Sequence, residues 1–178
     1  MALTKVQGEG INGISITSGG VVTMASTTFA QAFRLTSNLT ANGDLTNWEA
    51  CDDASSGAVG TAITVGSGLF TFPITGLYKI DYFYQTFNGS GSQDNYITLN
   101  LFHSSNSGSD FDQITESSAG GTDDMSASGT GMALVNVTNA STHKVKLTGG
   151  SIASGSKIEG SSVTNTTAII FQRLTNSQ

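Results

Sequence analysis

The side chains that could perform chemistry in this sequence are few. They are two histidines, His103 and His143, one cysteine, Cys51, and the carboxylates Asp110, Asp112, Glu116, Asp123 and Asp124. Structural and catalytic zinc sites draw on Cys and His at short, regular spacings. Neither histidine lies in a His-x-x-x-His or Cys-x-x-Cys arrangement, so each reads as a surface histidine at a strand end. Cys51 is followed by Asp52 and Asp53. Neighbouring negative charge opposes formation of a thiolate, which makes Cys51 a poor nucleophile. The carboxylates fall within residues 103–128, which read as one long loop. Oxygen-rich loops can hold Ca²⁺, so Asp110, Asp112, Asp123 and Asp124 are calcium candidates. The match to a helix-loop-helix calcium motif fails at Ile114, where an oxygen ligand is needed. A solvated acidic loop is the preferred reading. A glycosidase needs two carboxyl groups at a fixed separation, and nothing in the pattern places two of these that way. The glycines lie outside any strand-to-helix context that would cradle phosphate. The expectation is no enzyme and no cofactor, with calcium as the one alternative.

The elements that must position these residues read as strands. The 178 residues suit one domain with a short appendage. Only 11% are charged, while 37% are hydrophobic and grouped in short runs separated by Gly, Ser, Thr and Asn. That composition argues against disorder, which requires few apolar residues. Alternating runs predict strands at 29–39, 44–50, 62–65, 69–72, 77–87, 96–102, 132–137, 143–147, 157–163 and 168–174, with a shorter one at 111–114. No amphipathic helix and no repeat of 20–50 residues is visible, which favours a sandwich or barrel. The strongest strand places Tyr78, Ile80, Tyr82 and Tyr84 on one face, and Leu77, Lys79, Asp81 and Phe83 on the other. Pro73, the only proline, should mark a strand end, because it cannot donate a ladder hydrogen bond. Residues 1–24 carry short apolar pieces between glycines and read as an extended N-terminal arm; residues 25–178 form the domain.

The segment Gly68-Leu69-Phe70-Thr71-Phe72-Pro73-Ile74-Thr75-Gly76-Leu77-Tyr78-Lys79-Ile80-Asp81-Tyr82 resembles the central motif of the C1q/TNF-like family. Gly68, Phe70, Pro73, Gly76, Tyr78 and Tyr82 match it, and Ile80 stands where an aromatic is usual. Ala32-Phe33 and the terminal stretch from Thr167 through Phe171 to Leu174 resemble the family's first and last strands. The resemblance implies an all-β jelly-roll sandwich of about ten strands that assembles as a homotrimer, with the long aromatic strand near the three-fold axis. Phe70, Phe72, Pro73, Gly76, Tyr78, Ile80, Tyr82 and Phe171 are the expected core and trimer residues.

The opening Met-Ala-Leu-Thr-Lys-Val and the Gly-Ile-Asn-Gly-Ile-Ser stretch resemble the starts of tail-fibre and other virion proteins of marine phages. That implies a protein made in the host cytoplasm and carried on the virion surface. A single cysteine fits such a reducing compartment. The net charge of −6 argues against nucleic acid as a partner, and no apolar run approaches the ~20 residues that span a bilayer. The expected function is a trimeric capsid decoration protein whose arm grips a major capsid protein. A fibre tip whose 103–128 loop contacts a host receptor, glycan or protein, is the alternative. A glycan-active enzyme ranks last.

Overall fold

The computed structural model describes residues 14–16, 22–24, 29–52, 57–89 and 96–178. Every element among them is a strand: β1 Ile14–Ile16, β2 Val22–Met24, β3 Phe29–Leu35, β4 Gly43–Asp44, β5 Trp48–Ala50, β6 Thr64–Gly66 and β7 Leu69–Thr71. Then follow β8 Gly76–Asn88, β9 Tyr96–Ser104, β10 Asp112–Gly120, β11 Met125–Val137, β12 Lys144–Gly150, β13 Lys157–Ile158 and β14 Ala168–Thr175. One sheet runs β10-β9-β12-β7-β6, with β4 also on β12; the other runs β11-β8-β14-β3-β5, with β13 also on β8. All pairings are antiparallel. Most of the predicted arm lies outside the described residues; within it, β1 and β2 pair with each other.

The two sheets bury one apolar layer between them. Its centre is aromatic. The ring of Phe70 lies 5.2 Å from Phe33 and 5.2 Å from Phe171, and Phe72 lies 4.7 Å from Tyr78, in tilted and edge-on arrangements that suit ring quadrupoles. β8 alternates strictly, with Tyr78, Ile80, Tyr82 and Tyr84 buried. This is the period-two pattern of the sequence carried into packing.

The expected loop at 103–128 is instead mostly sheet. β10 and the start of β11 occupy it, joined by a turn at residues 121–124. Their sequences, rich in Ser, Thr and Gly, have no apolar alternation to reveal them. They are strands because their neighbours supply the pairing: β10 lies along β9, and all of β11 lies along β8.

The glycines of β11 have a specific use. Gly131 pairs with Tyr82 and Gly129 with Tyr84. Each tyrosine ring folds over its glycine, and an added Cβ at Gly131 would run into the Tyr82 ring. The rings then reach the other sheet, where Tyr82 Oη donates to the Leu99 carbonyl at 3.0 Å and Tyr84 Oη to that of Ile97 at 3.5 Å. Burial, with smaller contributions from Tyr84 and Glu116, pushes the Tyr82 phenol well above its ordinary pKa. Gly131→Ala should lower the free energy of unfolding by about 2 kcal/mol or more, since the ring must leave its slot. Tyr82→Phe should cost about 1 kcal/mol. Urea unfolding followed by tryptophan fluorescence would measure both.

Candidate functional site

Two features of β8 make up the candidate site: the corner that starts it and the face it turns outward. The corner follows β7. Pro73 sits two residues beyond the end of that strand, as its missing N–H requires. Two side chains then clamp the turn. Tyr78 Oη donates to the Ile74 carbonyl at 2.9 Å, and Arg173 Nε from β14 donates to the Thr75 carbonyl at 2.9 Å. Burial raises the Tyr78 pKa, opposed by the Arg173 charge and the Ile74 bond. Arg173 is 8% exposed and also donates to Asn176 Oδ1 at 2.8 Å. Gly76 is required by close approach: a Cβ there would lie 2.7 Å from the Thr175 carbonyl oxygen and against the Arg173 side chain.

The outward face of the β11-β8-β14-β3-β5 sheet is unusually apolar. Residues opposite each other in an antiparallel ladder share a face. One row runs Met132, Asp81, Ile170, Ala32; the next runs Leu134, Lys79, Gln172, Ala30; a third runs Thr130, Phe83, Ala168, Arg34. Met132 is 52% exposed, Leu134 58% and Leu174 54%, while Phe83, Ile170 and Leu77 are half-buried. The charges within this field are internally paired, Lys79 with Asp81 at 2.8 Å. At its β3-β5 margin the buried Arg34 holds Glu49 at 2.6 Å and Asp52 at 2.7 Å. Apolar surface with its charges already neutralised loses little on being covered.

The architecture has solved counterparts. Murine APRIL matches 83% of this chain and 99% of its own, with TM-score 0.62 at 8% identity. Eiger TNF from S. frugiperda matches 84% and 94%, with TM-score 0.63 at 10% identity. The globular domain of zebrafish complement 1qA protein matches 85% and 98%, with TM-score 0.53 at 13% identity. No family model matches the sequence, and no curated protein does. The fold is a C1q/TNF-like jelly roll.

Within that jelly roll, Phe70, Phe72, Tyr78, Ile80, Tyr82 and Phe171 all lie between the sheets, each at most 3% exposed. They are core residues of a single copy. Any contact that β8 makes with another molecule falls to its opposite side, with β11 and β14 contributing Met132, Leu134, Ile170 and Leu174. Their apolar character is visible in the sequence. Met132 and Leu134 fall in the predicted strand 132–137, but Ala133, Val135 and Val137 are apolar too, so the sequence does not show which face of β11 turns outward.

The reading of His103 and His143 as separate surface groups is corrected. His143 is 6% exposed, and its Nδ1 lies 3.0 Å from His103 Nε2. The turn before β12 brings it beside β9. The carboxylates do not converge. Asp110 is tied into a turn by Asn106 Nδ2 at 2.9 Å, Asp112 begins β10, and Asp123 and Asp124 lie past its far end. A nine-residue strand puts roughly 27 Å between the two ends. Among the described residues no three His, Cys, Asp or Glu side chains group as metal ligands. Cys51 is buried, its Sγ 3.3 Å from Asn165 Oδ1; Asp53 lies outside the described residues.

The clamp at the corner yields a direct expectation. Gly76→Ala should reduce stability by about 2 kcal/mol, because the new methyl group meets both the Arg173 side chain and the Thr175 backbone carbonyl. Arg173→Ala should cost a similar ~2 kcal/mol through the corner carbonyl it leaves unpaired. Chemical denaturation of the two variants and the double variant would show a total below the sum if both act on one corner.

Proposed function

We propose that the protein is a non-enzymatic homotrimer that associates through the outward face of the β11-β8-β14-β3-β5 sheet and serves as a decoration module on a phage particle. The observation that carries the assembly reading is the apolar field in which Met132, Leu134 and Leu174 are exposed and Phe83 and Ile170 half-buried on a single copy. Contiguous apolar surface of this kind marks interaction sites. A closed three-fold ring buries one such face per subunit without leaving an open edge for fibre growth. The phage setting is supported by the resemblance of the opening residues to virion proteins, and by an acidic, low-charge composition suited to a crowded shell.

The decoration role is preferred over a fibre tip for a structural reason. The adhesive reading relied on a long 103–128 loop as a receptor contact. That segment is largely the hairpin of β10 and β11, with residues 105–111 and 121–124 as its connections, which reduces the loop surface it can offer a glycan or protein.

Met132→Asp combined with Leu134→Asp should convert the trimer to monomer while the far-ultraviolet circular dichroism stays that of a β protein. Both side chains are more than half exposed, so the fold of one copy does not need them. Analytical ultracentrifugation would read the outcome, and an unchanged sedimentation coefficient would end the assembly reading. Cryo-electron microscopy of the intact particle tests the location: density at three-fold sites of the shell is expected, and density at a fibre end would contradict it.

A further inference from the structure

We propose that the His103–His143 pair is a proton-sensitive latch that ties one end of the jelly roll closed at neutral pH and releases it in mild acid. His103 Nε2 and His143 Nδ1 face each other at 3.0 Å, with ring centroids 5.0 Å apart and planes inclined at 43°. His143 Nε2 reaches Thr138 Oγ1 at 3.2 Å. His103 belongs to β9 and His143 precedes β12, both in one sheet; Thr138 directly follows β11 of the other. Thr138 and His143 are the two ends of the connection from β11 to β12, and the His103 contact holds that connection, where the chain passes from one sheet to the other, against β9.

The space between the two nitrogens holds one hydrogen. With both rings neutral, one donates and the other accepts. A first added proton leaves a charge-assisted N–H···N bond in place. A second would set N–H against N–H and two cations 3.0 Å apart. The rings must then separate, and the turn that carries the buried His143 loses the contact that holds it against β9.

The surroundings set where this happens. From β10, Asp112 stands opposite His103 in the ladder and favours a proton there. From β12, the residue opposite His103 is the apolar Val145; its neighbour Lys144 is held by Thr71 Oγ1 at 2.7 Å. Asp110, in the turn between β9 and β10, is bonded to Asn106. From β11 the pair meets the neutral Thr138. Burial lowers the pKa of both histidines, and for His103 the nearby His143 lowers it further, against Asp112. Histidines whose folded pKa is depressed contribute stability that is complete above the unfolded value near 6.5 and is lost as pH falls through the folded values.

The test is thermal melting of the full chain at pH 7.5 and pH 5.5, a window above most carboxylate titration, beside the His103→Gln/His143→Gln double variant. Wild type should lose about 3 °C or more across the window and the variant less than about 1 °C. A variant that loses as much as wild type overturns the latch. Should the variant fail to fold, imidazole titration of the wild-type protein by NMR decides. Both rings titrating below 6.5, with mutually dependent shifts, supports the latch; either ring titrating independently at or above 6.5 overturns it.

Discussion

A row of tyrosines can join two sheets only if the neighbouring strand leaves room for the rings. This constraint organises the molecule. β8 sends Tyr82 and Tyr84 into the interior, and β11 meets them with Gly131 and Gly129. The rings cross the space above those glycines and end on backbone carbonyls of β9. The glycines cost strand propensity, and the rings more than offset it by burying large apolar area and tying the sheets with hydrogen bonds. The edge is reinforced where Thr115 of β10 donates to the Met132 carbonyl of β11 at 3.2 Å. The open edge of one sheet is thereby held against the open edge of the other.

The same strand also determines what the molecule presents outward. Alternation that buries Tyr78, Ile80, Tyr82 and Tyr84 necessarily turns Leu77, Lys79, Asp81 and Phe83 the other way. The pairing of β8 with β11 and β14 then fixes Met132, Leu134 and Ile170 beside them. A one-residue slip of β11 would bury Leu134 and expose Ala133 and Val135. The interior glycines exclude that slip, because the tyrosine rings fit only over positions without a Cβ. Core packing and the outward apolar face are therefore one register problem with one solution.

How legible this was in the sequence differs by element. β8, β9 and β14 were plain, because apolar or aromatic residues alternate through them. The strand end at Pro73 was plain as well, because a proline cannot donate a ladder hydrogen bond. Arg173 was not: nothing local distinguishes a buried arginine that caps a distant turn from a solvated one. β10 and the first half of β11 were hidden because their pattern is Ser, Thr and Gly, and only β9 and β8 make them strands. That omission carried others with it. It turned a hairpin into a contact loop and pooled acidic residues that the strand in fact holds apart. The histidines went unconnected for a separate reason: they lie 40 apart in sequence and meet only once β9 and β12 pair, a pairing that alternation within each strand does not reveal.

The central claim is that the outward face of β8 and its neighbours is covered by other copies of the same chain. Light scattering coupled to size exclusion on the unmodified protein addresses it most directly. Three copies of an 18.3 kDa chain give roughly 55 kDa, and that mass, constant on tenfold dilution through the micromolar range, is the predicted result. A mass of 18.3 kDa at every concentration would contradict it.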